Sequence, residues 1–559
     1  MNELPADVDL GAHDLREWVE LGLARAGHLL TAGERLIAGR VLDLRGPPAR
    51  LYARLTARRG TISRVDQLAG LGVPDGEDAA AALIELGLAD TLVPWPQRAS
   101  ACTVKELKAG CKVAGLPVGG RRDDLVQRLQ SHRGWSQQRW LRVRHRGLLR
   151  RMGRWATWRR HPDRAAQVVR RLGHVRWPEY ATTRGAALHP DRRHLIRWEA
   201  LVRGLDVLPV DDLLVALENE THWAPGRLDL RRSLARRIAA HGREIERQKQ
   251  PDQARGVYER LIATGHVQPS ELAVRIARTF ESQGSGRQAL ATLADSRAQA
   301  SPVDATAIAR AGRRLARKLR SSWPPDRPRR SPSVRDIRLS EAPLEGPRPG
   351  YRTRTGSAPV EAAVKDLLAS LGRVALHVEG GLWRTLFALL FAETYFLPVP
   401  GALPTQLLSG PVDLGSPAFA RARQQAVDEV LAAVRTGQAA QRVHAADLKW
   451  RGVRLRGASW DIETKLLVAA AASLPASALA AILQRFLDEG WSASRGLPDL
   501  VLFPGPVVAV PGALPSKLPA GLVLAEVKGP RDSVRDEQSV WFDVLLGAGA
   551  SVELWQITG

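Results

Sequence analysis

The stretch Trp323-Pro324-Pro325-Asp326-Arg327-Pro328-Arg329-Arg330-Ser331-Pro332 divides the chain, because prolines so dense rule out a regular helix. Pro343, Pro347 and Pro349 prolong the irregular stretch. N-terminal to it, apolar residues recur at helical spacing; C-terminal to it, β-favouring apolar runs enter. A basic connector between a helical part and a separate C-terminal domain is therefore expected. At 559 residues the chain has room for several domains, at about 100–200 residues each.

Charge narrows the partner. Lys and Arg number 82 against 58 Asp and Glu, a net charge of +24. An excess of that size favours a polyanion, since neutralising phosphates releases condensed counterions. Two cysteines, Cys102 and Cys111, exclude a disulfide scaffold, a zinc finger and a thiolate-held iron–sulfur cluster, and point to a reducing compartment. The acidic start Met1-Asn2-Glu3-Leu4-Pro5-Ala6-Asp7 lacks the layout of a secretion signal. The apolar run from Leu466 to Leu483 approaches membrane-spanning length, but Pro475 breaks it and Lys465 and Arg485 bracket it. It reads as two soluble helices, so the chain is expected in the cytoplasm, at the nucleoid, and not in a membrane.

In the N-terminal part, Leu15, Trp18, Val19 and Leu23, then Ala79, Ala82, Leu83 and Leu86, mark helices of a small module, helical or winged, over residues 1–100. Residues 101–134 form two short helices about a Gly/Pro turn, with Thr103 and Glu106 in a capping-box pattern. This resembles a SAP module, which binds DNA; the plain alternative is a helical hairpin. Its two cysteines read as buried apolar residues. From Leu125 to Pro178, fifteen arginines stand against one acid, Asp163, with Trp135, Trp140, Trp155, Trp158 and Trp177 interleaved. Arginine pairs bidentately with phosphate, and the unmixed charge departs from an ordinary solvated face. The tryptophans read as core before they read as base-stacking faces. Lys105, Arg121, Arg122, Arg139, Arg142, Arg144, Arg150, Arg151 and Arg154 are the candidate DNA contacts. Residues 135–345 then read as a basic, helical-repeat-like linker domain. Asp252-Gln253-Ala254 with Tyr258 returns as Arg287-Gln288-Ala289 with Leu293, an offset of 35 (289 − 254), close to the tetratricopeptide period of about 34.

The C-terminal domain, residues 346–559, carries the chemistry. Leu497-Pro498-Asp499-Leu500-Val501-Leu502-Phe503 and Leu522-Val523-Leu524-Ala525-Glu526-Val527-Lys528 read as strands joined by a Pro/Gly-rich loop. If they close symmetrically, Asp499 faces Glu526, because 499 + 526 equals 503 + 522. Lys528, two residues on, shares that face. Strands so apolar suggest burial on both faces, where isolated charges are costly unless they coordinate something. Two carboxylates suit Mg²⁺ or Mn²⁺, and an ammonium beside them suits a scissile phosphate. Gly529-Pro530 should stop the strand. Asp532 or Ser533 should cap a helix over 534–546 carrying Gln538 and Trp541, and residues 550–557 should form a last strand.

The pattern Pro498-Asp499…Glu526-Val527-Lys528 resembles the PD-(D/E)xK signature of a large nuclease superfamily. Gly496-Leu497-Pro498-Asp499-Leu500, Glu526-Val527-Lys528-Gly529-Pro530 and Gln538 closely resemble its VRR-NUC branch. His377-Val378-Glu379-Gly380-Gly381-Leu382-Trp383-Arg384-Thr385-Leu386 is similar to a segment of the Fanconi-anaemia-associated nucleases. With the SAP-like and repeat-like regions in this order, the whole chain resembles a bacterial-type member of that family. The resemblance implies a multidomain fold, mainly α over the first two-thirds, ending in an α/β nuclease domain with a central mixed sheet. It implies a Mg²⁺ or Mn²⁺ site made by Asp499, Glu526 and the Val527 carbonyl and completed by Glu379. Lys528 would position the attacking water, and Gln538 would support Lys528 or the phosphate. Glu393 is a rival to Glu379; His377 reads as structural and Glu463 as a surface or helix-N-terminal carboxylate. The implied substrate is branched or flapped DNA, cut at 5′ flaps and from 5′ to 3′, in interstrand-crosslink repair, with no small-molecule cofactor. The chain would act as a monomer, or as a dimer on DNA. Two alternatives are a four-way-junction resolvase and a DNA-binding scaffold whose sheet carboxylates pair with arginines.

Overall fold

The structure, a computed structural model, describes residues 10–558 apart from 59, 74, 133–138, 158–175, 184–190, 205–206, 220–227, 346–348, 379, 401, 404–405, 407, 504–520 and 531. The chain forms two compact units, one of residues 1–174 with 187–196, the other of 175–186 with 197–559.

The first unit opens with helices α1 (Leu10–Ala26), α2 (Ala32–Asp43), α3 (Gly46–Ala57) and α4 (Gly76–Glu85). A small antiparallel sheet accompanies them, in the order β1 (Ile62–Arg64), β3 (Trp140–Val143), β2 (Ala89–Asp90). The SAP-like helices α5 (Val104–Val113) and α6 (Arg122–Leu129) are thus inserted between β2 and β3. The expected cap is present: Thr103 Oγ1 accepts from the Glu106 N–H at 3.3 Å, and Glu106 accepts from the Thr103 N–H at 2.7 Å. Leu107, Cys111, Leu125 and Leu129 share one core with Cys102 and Trp140, so both cysteines are buried, as their apolar reading requires. The boundary expected at 135 is not a break in the fold. Trp140–Val143 is the central strand of the N-terminal sheet, and helix α7 (Arg146–Thr157) packs back on α1.

Glu34 is a node of this unit. It accepts from Arg151 at 2.8 Å and from Arg192 at 2.6 Å and caps Thr31. Partial burial opposes its ionisation, but Arg192, the Thr31 N–H and Arg151 outweigh it and pull the carboxyl down to about 2. Its stabilisation is full above the unfolded value near 4.5 and fades as pH falls toward 2. Glu34→Gln is expected to destabilise the protein by about 1–3 kcal/mol at pH 7. The deficit should vanish in melts between pH 4.5 and 2; a deficit independent of pH would show that the carboxylate charge is not its source.

In the second unit, helices Val210–Glu218 and Leu228–Arg247 lead into α8 (Pro251–Ala263), α9 (Pro269–Ser282), α10 (Gly286–Arg297) and α11 (Pro302–Leu319). The recurrence seen in the sequence is a packing repeat: Ala254 and Ala289 are fully buried at equivalent places of α8 and α10, each followed by a buried Tyr258 or Leu293. Residues 321–332 are irregular, as the prolines dictate, and Arg297 donates to the carbonyls of Pro324 and Pro325.

The C-terminal domain begins earlier than residue 346. Its edge strand β4 (Ser333–Arg338) directly follows the proline stretch, and a small three-stranded sheet, β5 (Glu341–Ala342), β6 (Gly350–Thr353) and β7 (Gly356–Ala358), precedes helix α12 (Val360–Ser370). The main sheet runs β4, β11 (Ser551–Thr558), β10 (Val523–Lys528), β9 (Leu500–Phe503), β8 (Val374–His377). It is mixed: β8, β9 and β10 pair antiparallel, while β10, β11 and β4 pair parallel. Apolar side chains cover both faces. Val501, Phe503, Leu524 and Val552 enter a core with α13 (Gly381–Leu390), α14 (Thr464–Ser473), α15 (Ala476–Glu489) and α16 (Asp536–Gly547). Leu500, Leu502, Ala525, Val527 and Trp555 enter another with Tyr351 and α12. Helices α14 and α15 are the two pieces on either side of Pro475, bent by 109°, and no single described helix is long and apolar enough to cross a membrane.

Candidate active site

The β9–β10 ladder pairs Leu502 with Val523, Val501 with Leu524 and Leu500 with Ala525. One step further, the same register sets Asp499 against Glu526, the pairing that hairpin symmetry predicts. Asp499 is held from both neighbours: Val378, beyond β8, donates its N–H to the Asp499 carbonyl at 2.9 Å, and Val527 donates its N–H to Asp499 Oδ2 at 3.2 Å. Lys528 Nζ lies 2.8 Å from Glu526 Oε1, so the face that alternation assigns to Lys528 is the one it occupies. Glu526 is 1% exposed, and Lys528 and Gln538 are also buried.

Helix α16 starts at Asp536, two residues later than the expected start at 534, and its cap is Arg535 in place of Asp532 or Ser533. Gln538 reaches back and its Oε1 accepts from the Arg535 N–H at 2.8 Å, so the side chain that ends the turn fixes where the helix begins. Asp532 instead accepts from the Gly529 N–H. The other end of the Gln538 amide donates to Glu526 Oε1. Gln538 therefore supports an acid of the cluster directly, where the sequence suggested Lys528 or a phosphate.

Two carboxyls in one pocket oppose each other's ionisation. Burial first, then the Asp499 charge, push Glu526 up to about 8 against the pull of Lys528. Burial also raises Asp499, offset by the Val527 N–H, by Glu526 and by Lys528. Double ionisation of the pair is disfavoured unless a cation neutralises it. Glu526 Oε2 is buried and accepts no hydrogen bond from the described residues. An orphaned carboxylate oxygen beside a second carboxylate is the donor set that a hard divalent cation fits.

Other candidates fall elsewhere. Glu379 lies outside the described residues; of its neighbours, Val378 bonds Asp499 and Gly380 leads into α13. Glu393 accepts from Lys449 at 2.6 Å and from the Trp450 indole at 3.2 Å, on the surface and away from the cluster. Glu463 is exposed at the N-terminus of α14, beside Lys465. His377 closes β8 opposite Leu500. One residue escaped the sequence reading. Glu361, in the first turn of α12, lies near enough for its charge to raise Asp499. No spacing in the sequence links residues 361 and 499; only the packing of α12 on the sheet does.

Of the candidate DNA contacts in the first unit, several are committed internally. Arg142 grips Asp90 at 3.0 and 2.8 Å, Arg151 binds Glu34, and Arg122 donates to the carbonyls of Ala99 and Ser100. Arg139 meets Glu77 at 2.8 Å, and Arg154 is partly buried. Lys105, Arg121, Arg139, Arg144 and Arg150 are exposed, with Arg144 3.7 Å from Asp90. Trp140, Trp155 and Trp177 are buried, which favours their core reading; Trp135 and Trp158 lie outside the described residues.

With this geometry in view, comparison with known proteins is informative. Residues 435–557 match the VRR-NUC domain and residues 99–134 the SAP domain. The Fanconi-associated nuclease 1 homolog of rice is 26% identical over 69% of this chain and 43% of its own length. The chain thus spans less than half of that relative. The Pseudomonas aeruginosa homolog is 31% identical over 33% of this chain and 31% of its own. A solved structure described as paFAN1 bound to 2nt 5′-flap DNA with gap has the same fold, with a TM-score of 0.78, 23% identity and 99% of each chain covered. In the strand–helix–strand order around the acid pair, the inserted SAP helices and these likenesses, the chain is similar to the Fanconi-associated nucleases, with a VRR-NUC domain at its C-terminal end.

Proposed function

We propose that the chain hydrolyses phosphodiester bonds in branched or flapped DNA with Mg²⁺ or Mn²⁺, as a 5′-flap endonuclease and 5′-to-3′ exonuclease serving interstrand-crosslink repair. The observation that carries this reading is the cluster of half-buried Asp499 with buried Glu526 and Lys528, in which Glu526 Oε2 accepts no hydrogen bond from the described residues. Asp499, Glu526 and the Val527 carbonyl would hold the cation, with Glu379 and Glu361 as further carboxylates. When bound, the cation acidifies water and neutralises charge developing on the phosphoryl group. Lys528 presents an ammonium, tied to Glu526, that orients the attacking water and meets the oxygen gaining charge. Gln538 keeps the Glu526 carboxylate from rotating away. Water adds to phosphorus and loses a proton, the bond from phosphorus to the departing strand's sugar oxygen breaks, that oxygen takes up a proton, and no covalent enzyme intermediate forms. The exposed Lys105, Arg121, Arg144 and Arg150 suit a DNA arm, whose binding should weaken steeply with salt.

The test is cleavage of 5′-flap, 3′-flap and four-way-junction duplexes by the full chain, with products mapped. Cutting at the 5′ flap is expected with either metal and none in EDTA. Asp499→Ala and Lys528→Ala should each lower the rate by at least ~100-fold while flap affinity stays within about 3-fold. Retained cutting by either variant overturns the assignment. No carboxylate-dependent Mn²⁺ binding in calorimetry would leave a DNA-binding scaffold, and symmetric junction cutting would leave a resolvase.

A further inference from the structure

The helical-repeat region touches the catalytic sheet's own helix at one informative place. Asp536, the first residue of α16, is paired with Arg310 of α11 at 2.9 Å. Two residues on, Gln538 is fixed at both ends, to the Arg535 N–H and to Glu526. Farther along the same helix, Asp543 accepts from the backbone N–H of Arg330 in the proline-rich connector at 3.0 Å. Helix α16 is therefore tied on one side to an acid of the active site, and on the other to the helical region and the connector.

An aspartate in a helix's first turn is favourable on its own, through the helix dipole. Arg310 is not needed to satisfy it. What Arg310 adds is a fixed point on a different part of the fold. A hydrogen bond such as Gln538 to Glu526 weakens steeply with a shift of about 1 Å, so the height of α16 over the sheet decides whether that clamp closes.

We propose that Arg310 and Asp536 are a positioning pair: they hold α16 where Gln538 fixes the Glu526 carboxylate, and so set the divalent-cation affinity of the acid pair from the helical-repeat region. The inference rests on the reading of that pair as a cation site. Neither residue touches the cation or the DNA backbone in this role; both act through Gln538.

A competing role for Arg310 is a direct phosphate contact. It is 66% exposed and, with Arg278 and Arg314, lines a hollow of about 220 Å³ between α9 and α11. The two roles separate in one experiment. Mn²⁺ is titrated calorimetrically into the full chain without DNA, for the wild type and for Arg310→Ala, Asp536→Asn, Arg310→Lys and Gln538→Ala, with DNA affinity measured in parallel. Outer partners of metal ligands are worth about 10–100-fold in affinity. A pair one step farther out should be worth about 3–10-fold on the same scale. Arg310→Ala and Asp536→Asn should each weaken Mn²⁺ binding by that factor, and together no more than either alone. Arg310→Lys should recover most of it, and Arg310→Ala should add nothing in a Gln538→Ala background.

Unchanged Mn²⁺ affinity in both single variants overturns the proposal. So does a loss that adds to that of Gln538→Ala, or a change confined to DNA affinity and its salt dependence. If the wild type itself binds no Mn²⁺ through Asp499 and Glu526, the cation-site reading falls and takes the proposal with it. Binding by the wild type with indifferent variants sinks the positioning pair alone.

Discussion

Glu526→Gln is expected to stabilise the cation-free protein at pH 8 while abolishing cleavage. The Glu526 carboxyl titrates near 4.5 in an unfolded chain and is pushed up to about 8 in the fold. Between those values folding takes up a proton. Its contribution is therefore fully favourable below about pH 4.5 and is lost progressively as pH rises through 8. Glutamine keeps the shape and can still accept from Lys528 and Gln538, but carries no charge to bury. A shift of that size converts to at most about 5 kcal/mol; sharing the proton with Asp499 and the Lys528 pairing reduce the expected gain to about 2–3 kcal/mol. Thermal melts in EDTA at pH 5 and pH 8 check it. The variant's advantage should grow with pH, and an advantage equal at both, or none at pH 8, would mean that the acid is not buried as a charge. Mn²⁺ should raise the stability of the wild type with the logarithm of its free concentration above Kd and leave the variant unmoved, since a ligand stabilises only the state that binds it. Loss of cleavage by at least ~1,000-fold should accompany the gain, because the substitution removes a carboxylate from the cation's donor set. Stability and activity moving in opposite directions mark a site held under electrostatic cost.

The acid pair was legible in the sequence because its geometry is local. A strand alternates faces by covalent geometry, and two apolar runs about one loop admit few registers that bury both. Asp499 opposite Glu526, with Lys528 on the same face, follows from counting. The SAP cap at Thr103 and Glu106 was legible for the same reason: three residues of spacing carry it. Long-range pairing was not. Ile62 pairs with Arg142 across the whole SAP insertion, and nothing near residue 140 signals that the strand returns to a sheet begun before residue 65. Strand β4 was hidden because it lies at an edge: Ser333-Val-Arg-Asp-Ile-Arg338 is largely exposed and reads as more of the basic connector. The arginine-rich span misled in an instructive way. Along the chain its charge is unmixed, but in space Asp90, Glu34 and Glu77 come to Arg142, Arg151 and Arg139 from 52, 117 and 62 residues away. Sequence proximity measures the charge of a segment, while the fold decides which charges remain for a partner. Glu361 belongs to the same class of late arrivals, since its nearness to Asp499 depends on a helix packed against the far end of a sheet.

Gly496→Ala should damage both the fold and the reaction, and by more than a glycine in a loop ordinarily would. Gly496 has φ +82°, and a Cβ there would sit 2.6 Å from the Glu537 carbonyl carbon and 2.8 Å from the Gln538 nitrogen. Both are backbone atoms at the start of α16, so no side chain can rotate aside. The helix cannot retreat cheaply either. The Trp541 indole N–H donates to the carbonyls of Ala493 and Arg495 at 2.8 and 3.1 Å, and Arg485 lies over the Trp541 ring at 4.2 Å. The added methyl must pry α16 from the segment that leads through Pro498 to Asp499. That motion draws Gln538 from Glu526 and displaces Asp499 at once. The left-handed backbone costs about 1–2 kcal/mol for alanine, and forced overpacking about 1–3 more, giving an expected destabilisation of about 2–5 kcal/mol. Cleavage by the folded fraction should fall by about 100-fold, the scale of a 1 Å misplacement of reacting groups. Gly549→Ala supplies the comparison. It has φ +80° with no described residue within 4 Å of its would-be Cβ, so it should lose about 1–2 kcal/mol and leave the rate of the folded protein unchanged. Denaturant melts with single-turnover rates on a flap duplex distinguish the two. Equal losses in both variants would show that Gly496 supplies only a backbone angle; a rate defect confined to Gly496→Ala would show that the motif's glycine lets a catalytic strand and the helix that steadies it approach within contact distance.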